Sequence, residues 1–378
     1  MINHNPFNRA LDYIEKNKGT FLSNLISIGQ IPAPTGQEEQ RASFLFERFE
    51  DIGINAYIDA AGNVVAEKEG DPKKPSILWV AHLDTVFDKK TDHVVHVDQN
   101  YIYGPGIADN CVGLAVLIRL AHIIQNEISE GIGHHYFAAV TGSEIGGNLY
   151  GMREVMGRLK EKITTVICLE GNRLGRIDHY AIGTYRFEIE VKTMGGHSWH
   201  DRDNPNAIRI LHQFINQIET LSLPADSSIN YAKTFGGTTY NLIPDRAILD
   251  VELRSNESRT LDKVFQQIKL AVSHFNQSEG DYIELKQVGL RPYGGIPADH
   301  PLVKVFEKVL KNLGIVPRLG GASSDGAISL SMRIPTVTIG LTNGFDLHTE
   351  KERVEIDTIF IGIRQAVNAI SEINSGGL

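Results

Sequence analysis

Four buried strand-like runs and one irregular stretch each give out onto a residue that could do chemistry. SILWVA leads to His82-Leu83-Asp84. GPGIADNCVG carries Asp109 just ahead of an apolar helix. HYFAAVTG leads to Ser143 and Glu144, ITTVICL to Glu170, and IPTVTIG to a loop with Asp346 and His348. In open α/β sheets ligands bind beyond the carboxyl ends of the strands. Each residue alone has an ordinary explanation. An Asp before a helix is more often an N-cap, and a His-x-Asp pair is more often a satisfied core histidine. The coincidence is what counts, because charged groups gather at buried strand ends at a high cost unless they are paired or bind metal. Two imidazoles and three carboxylates suit divalent first-row metals, with Zn2+ foremost and Co2+ or Mn2+ also tolerated. The count is that of a two-metal hydrolase, in which one acid bridges and each ion takes one His and one further carboxylate.

The elements that must hold these residues can be read from periodicity. QEEQRASFLFERFEDIG (37–53) has apolar positions at helical spacing, and VGLAVLIRLAHIIQNEI (112–128) is a largely apolar helix. NVVAEKE reads as a strand, and SILWVAHLD, HYFAAVTG and ITTVICLEG read as strands buried on both faces. Strands alternating with helices predict an α/β domain with a mixed, largely parallel sheet and helices on both faces. Near Gly183 the pattern changes. TYRFEIEVKTMGG alternates with period two, and a β-α-β-β-α-β order follows as far as DYIELKQV. That order predicts a small α+β domain with an antiparallel sheet, inserted in the first. The expected division is a discontinuous catalytic domain, 1–182 and 292–378, and an inserted domain, 183–291.

Bulk properties exclude other classes. The 378 residues carry a net charge of −9 and no Lys/Arg-rich run, so a nucleic-acid or anionic-membrane surface is not expected. Two cysteines, Cys111 and Cys168, make no disulfide framework, which points to a cytoplasmic setting. The polar start MINHNPFNRALDYIEKN lacks the apolar core of a signal peptide. Apolar runs such as VGLAVLI fall short of the ~20 residues of a membrane helix. No Gly-x-Gly-x-x-Gly follows the early strands, which argues against a nicotinamide enzyme.

The motifs, taken in order, resemble the M20 metallopeptidases, a family that includes glutamate carboxypeptidases, aminotripeptidases, aminoacylases and desuccinylases. The resemblance rests on His82-Leu83-Asp84-Thr85-Val86, Asp109-Asn110, Glu144-Ile145-Gly146, Glu170 and His348-Thr349-x-x-Glu352. It rests also on Gly196-His197-Ser198, on Gly236-Gly237-Thr238-Thr239-Tyr240-Asn241-Leu242-Ile243-Pro244 and on Asp250-x-x-x-Arg254. It implies that His82 binds one metal ion and His348 the other. Asp109 bridges them through a cis Asp109–Asn110 peptide, and Glu144 and Glu170 complete the two shells. Asp84 would hydrogen-bond the His82 ring, as carboxylates commonly do for ligand histidines. His197, Asn241 and Arg254 would contact a small peptide or N-acyl amino acid, with Arg254 clamping a substrate carboxylate. The inserted domain would act as lid and dimerisation module of a homodimer.

One position departs from the pattern. The family has two adjacent acids where this chain has Ser143-Glu144, and Ser143 falls on the general base. A serine cannot hold a proton near neutral pH, and a positioned base is worth ~10²–10⁴ in rate. Three readings stand at this point. Hydrolysis is slowed or lost, leaving a protein that binds metal and a peptide or acyl amino acid. Alternatively the metals activate water unaided and another group takes the proton. Or the turn is shifted, so that Glu144 is the base.

Overall fold

The computed structural model describes residues 6–144, 146–280 and 282–377. The chain divides after Ala181 and again after Tyr293, giving two compact units.

The first unit is built on a nine-stranded mixed sheet. Its centre is parallel: His135–Val140, Ile77–His82, Thr165–Glu170 and Thr336–Gly340 lie side by side in that order. Antiparallel strands extend it at both ends. Val64–Lys68 and Asn55–Ile58 lie beyond one edge, and Arg176–Ala181 and Gly294–Gly295 beyond the other. Arg318–Ala322 also pairs in parallel with Arg176–Ala181.

The continuous apolar runs of the central strands are two alternating patterns superposed. Ile77, Trp79 and Ala81, with Phe137, Ala139, Ile167 and Leu169, belong to one core. Leu78, Val80, Tyr136, Ala138, Val140, Val166 and Cys168 belong to another. Successive strand residues point to opposite faces, so a sheet covered on both sides needs apolar residues at every position. The first core packs under helices Lys18–Gly29, Glu39–Ile52, Val112–His122, Pro301–Asn312 and Ile356–Glu372. The second packs under Tyr150–Leu159 and Gly326–Ser331. Because the central four strands are parallel, their carboxyl ends all open on one edge. His82 pairs in register with Val140, and Gly340 with Glu170.

A small four-stranded sheet comes from a stretch with no clear sequence pattern. Gly344–Phe345, Arg353–Glu355, Tyr101–Tyr103 and His96–Val97 pair in that order. It ties the segment just before Asp109 to the segment that flanks His348.

The helical stretch Ile107–Glu127 corrects one sequence reading. Ile107 and Ala108 before the VGLAVLI run, with Ile123 and Ile124 after it, make it long and apolar enough to cross a membrane. Its residues are instead almost wholly buried within the protein. It is the central core helix of the first unit.

The second unit carries the antiparallel sheet Ser227–Gly236, Arg246–Ser255, Gly183–Lys192 and Ile283–Arg291. Phe187, Ile189 and Val191 turn to the core with Leu249, Val251 and Leu253. Helices Ala207–Glu219 and Ser258–Glu279 supply Phe214, Phe265 and Ile268 to the same core. The alternate residues form cross-strand ion pairs on the sheet, among them Arg186–Glu252 at 2.9 Å and Arg246–Glu190. The period-two pattern of TYRFEIEVK is therefore that of a sheet with helices on one face only.

Candidate metal centre

The shape of the site is set by Asp109. One of its oxygens, Oδ1, lies 3.0 Å from His82 Nε2, and the other, Oδ2, lies 3.1 Å from His348 Nε2. One carboxylate thus faces two imidazoles, one with each oxygen. Glu170 joins His82 and Asp109, and Glu144 joins Asp109 and His348, in two groups whose donor atoms lie within 4.8 Å of one another. Asp109 belongs to both groups. That is the donor arrangement of two ions bridged by one carboxylate, and the N/O donor set suits zinc-like divalent metals.

Each donor is fixed by its own local structure. Asp109 stands in a distorted turn, Ile107–Cys111, and the Asp109–Asn110 peptide is cis, as the resemblance implied. Asn110 then anchors the turn to the neighbouring strand. Its Nδ2 donates to Leu169 O at 2.8 Å, while its Oδ1 accepts from Gly113 N and Gly171 N. The bonds to Leu169 and Gly171 bracket Glu170 and fix where that strand ends. On the far side, the buried Glu352 carboxylate accepts from Ala108 N at 2.8 Å and Asp109 N at 2.9 Å through one oxygen. Its other oxygen accepts from His348 N at 3.3 Å. Glu352 therefore sets the spacing between Asp109 and His348. His348 needs this support, because its φ of 63° is a left-handed conformation unfavourable for a non-glycine residue.

Asp84 plays a wider part than the sequence suggested. The His82 ring is oriented chiefly by the Asp84 main-chain oxygen, 3.0 Å from Nδ1, with the carboxylate further off at 3.5 Å. The carboxylate is engaged elsewhere. It accepts from Ser143 N at 3.0 Å, Glu144 N at 2.7 Å and Thr35 Oγ1 at 2.8 Å. Asp84 thus clamps the Ser143-Glu144 turn to the end of the His82 strand. The turn also needs glycine at 142, where φ is 67° and a Cβ would meet the Tyr150 ring at 2.1 Å. Ser143 is buried beneath it. Its hydroxyl donates to both oxygens of Asp325, at 2.7 and 2.8 Å.

The electrostatics suit a cation site. Three carboxylates face two imidazoles. Burial, reinforced by the Asp109 charge, pushes Glu170 up to about 8. Glu144 is raised by burial and by Asp109, against the opposing pull of His82. Glu352 is pushed up to about 7 by burial and the Asp109 charge, against the backbone N–H groups it accepts from. His82 lies well above its ordinary value, since its bonds to Asp109 and Asp84 outweigh burial. The Asp109 hydrogen bond raises His348. Divalent ions would stabilise the same carboxylates in their charged form.

The lid residues named from the sequence lie in the second unit. Gly196–His197 pairs with Leu242–Ile243, and Ser198 N donates to Asn241 O at 3.0 Å, so His197 and Asn241 share one loop cluster. Arg254 does not join them. That cluster abuts the Arg246 end of strand Arg246–Ser255. Eight residues of strand, roughly 26 Å, separate Arg246 from Arg254. Arg254 is bonded instead to Glu252 of its own strand, at 2.6 Å. Two residues of the first unit went without a role in the sequence reading, Glu352 and Asp325. Glu352 was visible as the acid four residues after His348. Asp325, in GASSDGA before a short helix, reads from sequence as a plain helix start.

A family model described as peptidase family M20/M25/M40 matches residues 78–372. A LysW-lysine/LysW-ornithine hydrolase of Sulfurisphaera tokodaii is 25% identical over 353 residues, 92% of this chain and 94% of its own. Among solved structures, a tripeptidase from Staphylococcus aureus superposes with a TM-score of 0.80 at 22% identity, covering 95% of this chain and 99% of its own. A Bacillus subtilis protein described as a dinuclear metal binding peptidase from M20 family superposes with a TM-score of 0.71 at 17% identity, covering 96% and 99%.

Proposed function

The chain belongs to peptidase family M20/M25/M40, and from that premise we propose that it is a dinuclear metal hydrolase cleaving a peptide or N-acyl amide bond in a small substrate with a free carboxylate. The observation that carries this reading is the Asp109 carboxylate, one oxygen toward His82 and the other toward His348. His82, Asp109 and Glu170 would hold one ion, and Asp109, Glu144 and His348 the other. Zn2+ is the ion this donor set suits best. Such a pair supplies Lewis acidity toward a carbonyl and lowers the pKa of water. The chain's own residues do the positioning: Asp84 holds the turn before Glu144, Asn110 the end of the Glu170 strand, and Glu352 the His348 loop.

The second unit is read as a substrate lid that presents His197 and Asn241, with Arg254 as a further contact to a substrate carboxylate. It is also read as the dimerisation module of a homodimer. Strand Ser227–Gly236 is the sheet's edge and is exposed along most of its length, with Phe235 open to solvent. Light scattering at micromolar concentration should give twice the mass of 41.8 kDa; a single-chain mass would refute the dimer. The two buried, free cysteines suit a cytoplasmic protein.

The test is metal content by elemental analysis, then turnover of the metal-loaded protein against dipeptides, tripeptides and N-acyl amino acids. Two ions per chain with turnover on at least one substrate class is the expected result. Two ions with binding and no turnover would favour the second reading, a non-catalytic binder, for which Ser143 at the base position is the motive. No bound metal would overturn the hydrolase reading.

A further inference from the structure

We propose that the first unit carries a further binding site, apart from the metal centre, for a small carboxylate with a compact apolar body. Helices Pro6–Lys16, Lys18–Gly29, Glu39–Ile52 and Val112–His122 surround a cavity of about 230 Å³. A cavity of about 150 Å³ suffices for benzene, so a single ring bearing a carboxylate fits. Phe21, Ile118 and the Tyr13 ring supply apolar wall, and the exposed Thr20 stands at the rim. Arg119, also in the wall, lies on the helix that follows the Ile107–Cys111 turn of Asp109. At a rise of about 1.5 Å per residue, roughly 10 Å of helix separates Val112 from Arg119.

Arg119 is the residue that calls for an anion. It is 5% exposed, and a buried charge is normally paired. Its Nη2 donates to Asn17 O at 3.0 Å, and its Nη1 has no hydrogen-bond partner among the described residues. The guanidinium carbon lies 5.0 Å from the centre of the Tyr13 ring and 5.8 Å from that of Phe21. Both rings line the cavity with Arg119. Ring faces stabilise a cation, but they are a weak substitute for a counter-ion. Burial pulls Arg119 below its ordinary value, and the opposing pull comes from Tyr13 and not from a carboxylate. Asp51 is the one acid among the residues that line the cavity, and Arg48 holds it at 2.9 Å. The cavity therefore keeps one uncompensated positive charge beside apolar surface. A carboxylate there is attracted strongly, because little water screens it, and its apolar body covers the rings.

The probe is sodium benzoate, titrated by calorimetry at fixed ionic strength into metal-loaded protein and into chelator-treated protein. Saturable binding with a Kd of about 1 mM or tighter is expected in both. Benzamide has the same shape without the charge and should bind roughly tenfold or more weakly. Inorganic phosphate has charge without an apolar body and should be weaker to a similar degree. Arg119→Met should weaken benzoate by roughly 10–10²-fold, the loss of a charged partner. Thr20→Trp should weaken it as much by filling the mouth from the exposed rim, and it decides the matter if Arg119→Met fails to fold. No saturable binding, or a folded variant of either kind that binds as the parent does, would overturn the proposal. Binding lost on chelation would overturn it too, since benzoate would then sit on the metals. Benzamide or phosphate binding as tightly as benzoate would overturn the assigned ligand class. None of these readouts depends on turnover, so failure of the hydrolase reading leaves the outcome unaffected.

Discussion

Asp109→Ala is expected to empty both metal positions at once and to lower turnover by about 10⁴-fold or more. Residues that merely orient a metal ligand cost 10–100-fold in affinity or activity when removed. Asp109 is instead the one donor shared by both groups, so its loss falls on each ion separately and the two losses multiply. Glu170→Gln is the natural comparison, because Glu170 sits in the His82 group alone. That variant should keep the ion at Asp109, Glu144 and His348 while weakening the other. The fold should survive Asp109→Ala, since Glu352 bonds the main chain at residues 108 and 109 and not the Asp109 side chain. Elemental analysis after dialysis against micromolar zinc, with far-ultraviolet circular dichroism as the folding control, decides the matter. One ion retained at full occupancy in Asp109→Ala would mean that Asp109 does not bridge.

Four of the five donors were legible in the sequence because each ends a buried strand or lies in the loop after it, and Asp109 because it stands just ahead of an apolar helix. His82 and Glu170 are strand ends, and a parallel sheet brings such ends to one edge whatever the loops do. Much of the supporting structure was not legible, and for a consistent reason. The small sheet that draws Tyr101–Tyr103 to Arg353–Glu355 uses strands of two or three residues, too short to show a period. Asp325 reaches Ser143 across 182 residues of sequence, and no local pattern reports such a contact. Arg254 is a different case. Its motif is visible in the sequence, while its place on the strand, far from the His197–Asn241 cluster and bonded to Glu252, comes from strand register. Helix Ile107–Glu127 shows the same limit for composition: apolarity sufficient for a membrane also suits the middle of a two-layered core.

Chelating the metals should lower the unfolding temperature by roughly 10 °C near pH 8, and by much less near pH 5.5. At a hundredfold excess over Kd each bound ion stabilises by about 2.7 kcal/mol, and a kilocalorie shifts Tm by about 2–4 °C for chains of 150–250 residues. The pH dependence follows from which protons the folded state prefers. In the metal-free protein Glu170 is pushed up from 4.5 to about 8 and Glu352 to about 7. An acid raised in the folded state favours folding fully below its unfolded value, and that contribution is lost as pH rises through the folded one. His82 and His348 are raised too, so their contribution is present below about 6.5 and is likewise lost as pH rises. All four groups make the metal-free protein less stable between pH 5 and 8. Asp84 and Asp109, both lowered, act in the opposite sense, but only as pH falls below about 4. Metal binding requires the same ligands deprotonated, so affinity rises over the range in which the metal-free protein weakens. The gap between loaded and chelated protein should therefore widen steadily from pH 5.5 to 8. Paired thermal scans with zinc and with a chelator, at fixed ionic strength, measure it directly. A gap that stays constant, or a chelated protein whose Tm climbs with pH, would show that the crowded carboxylates of this centre are not what the metals stabilise.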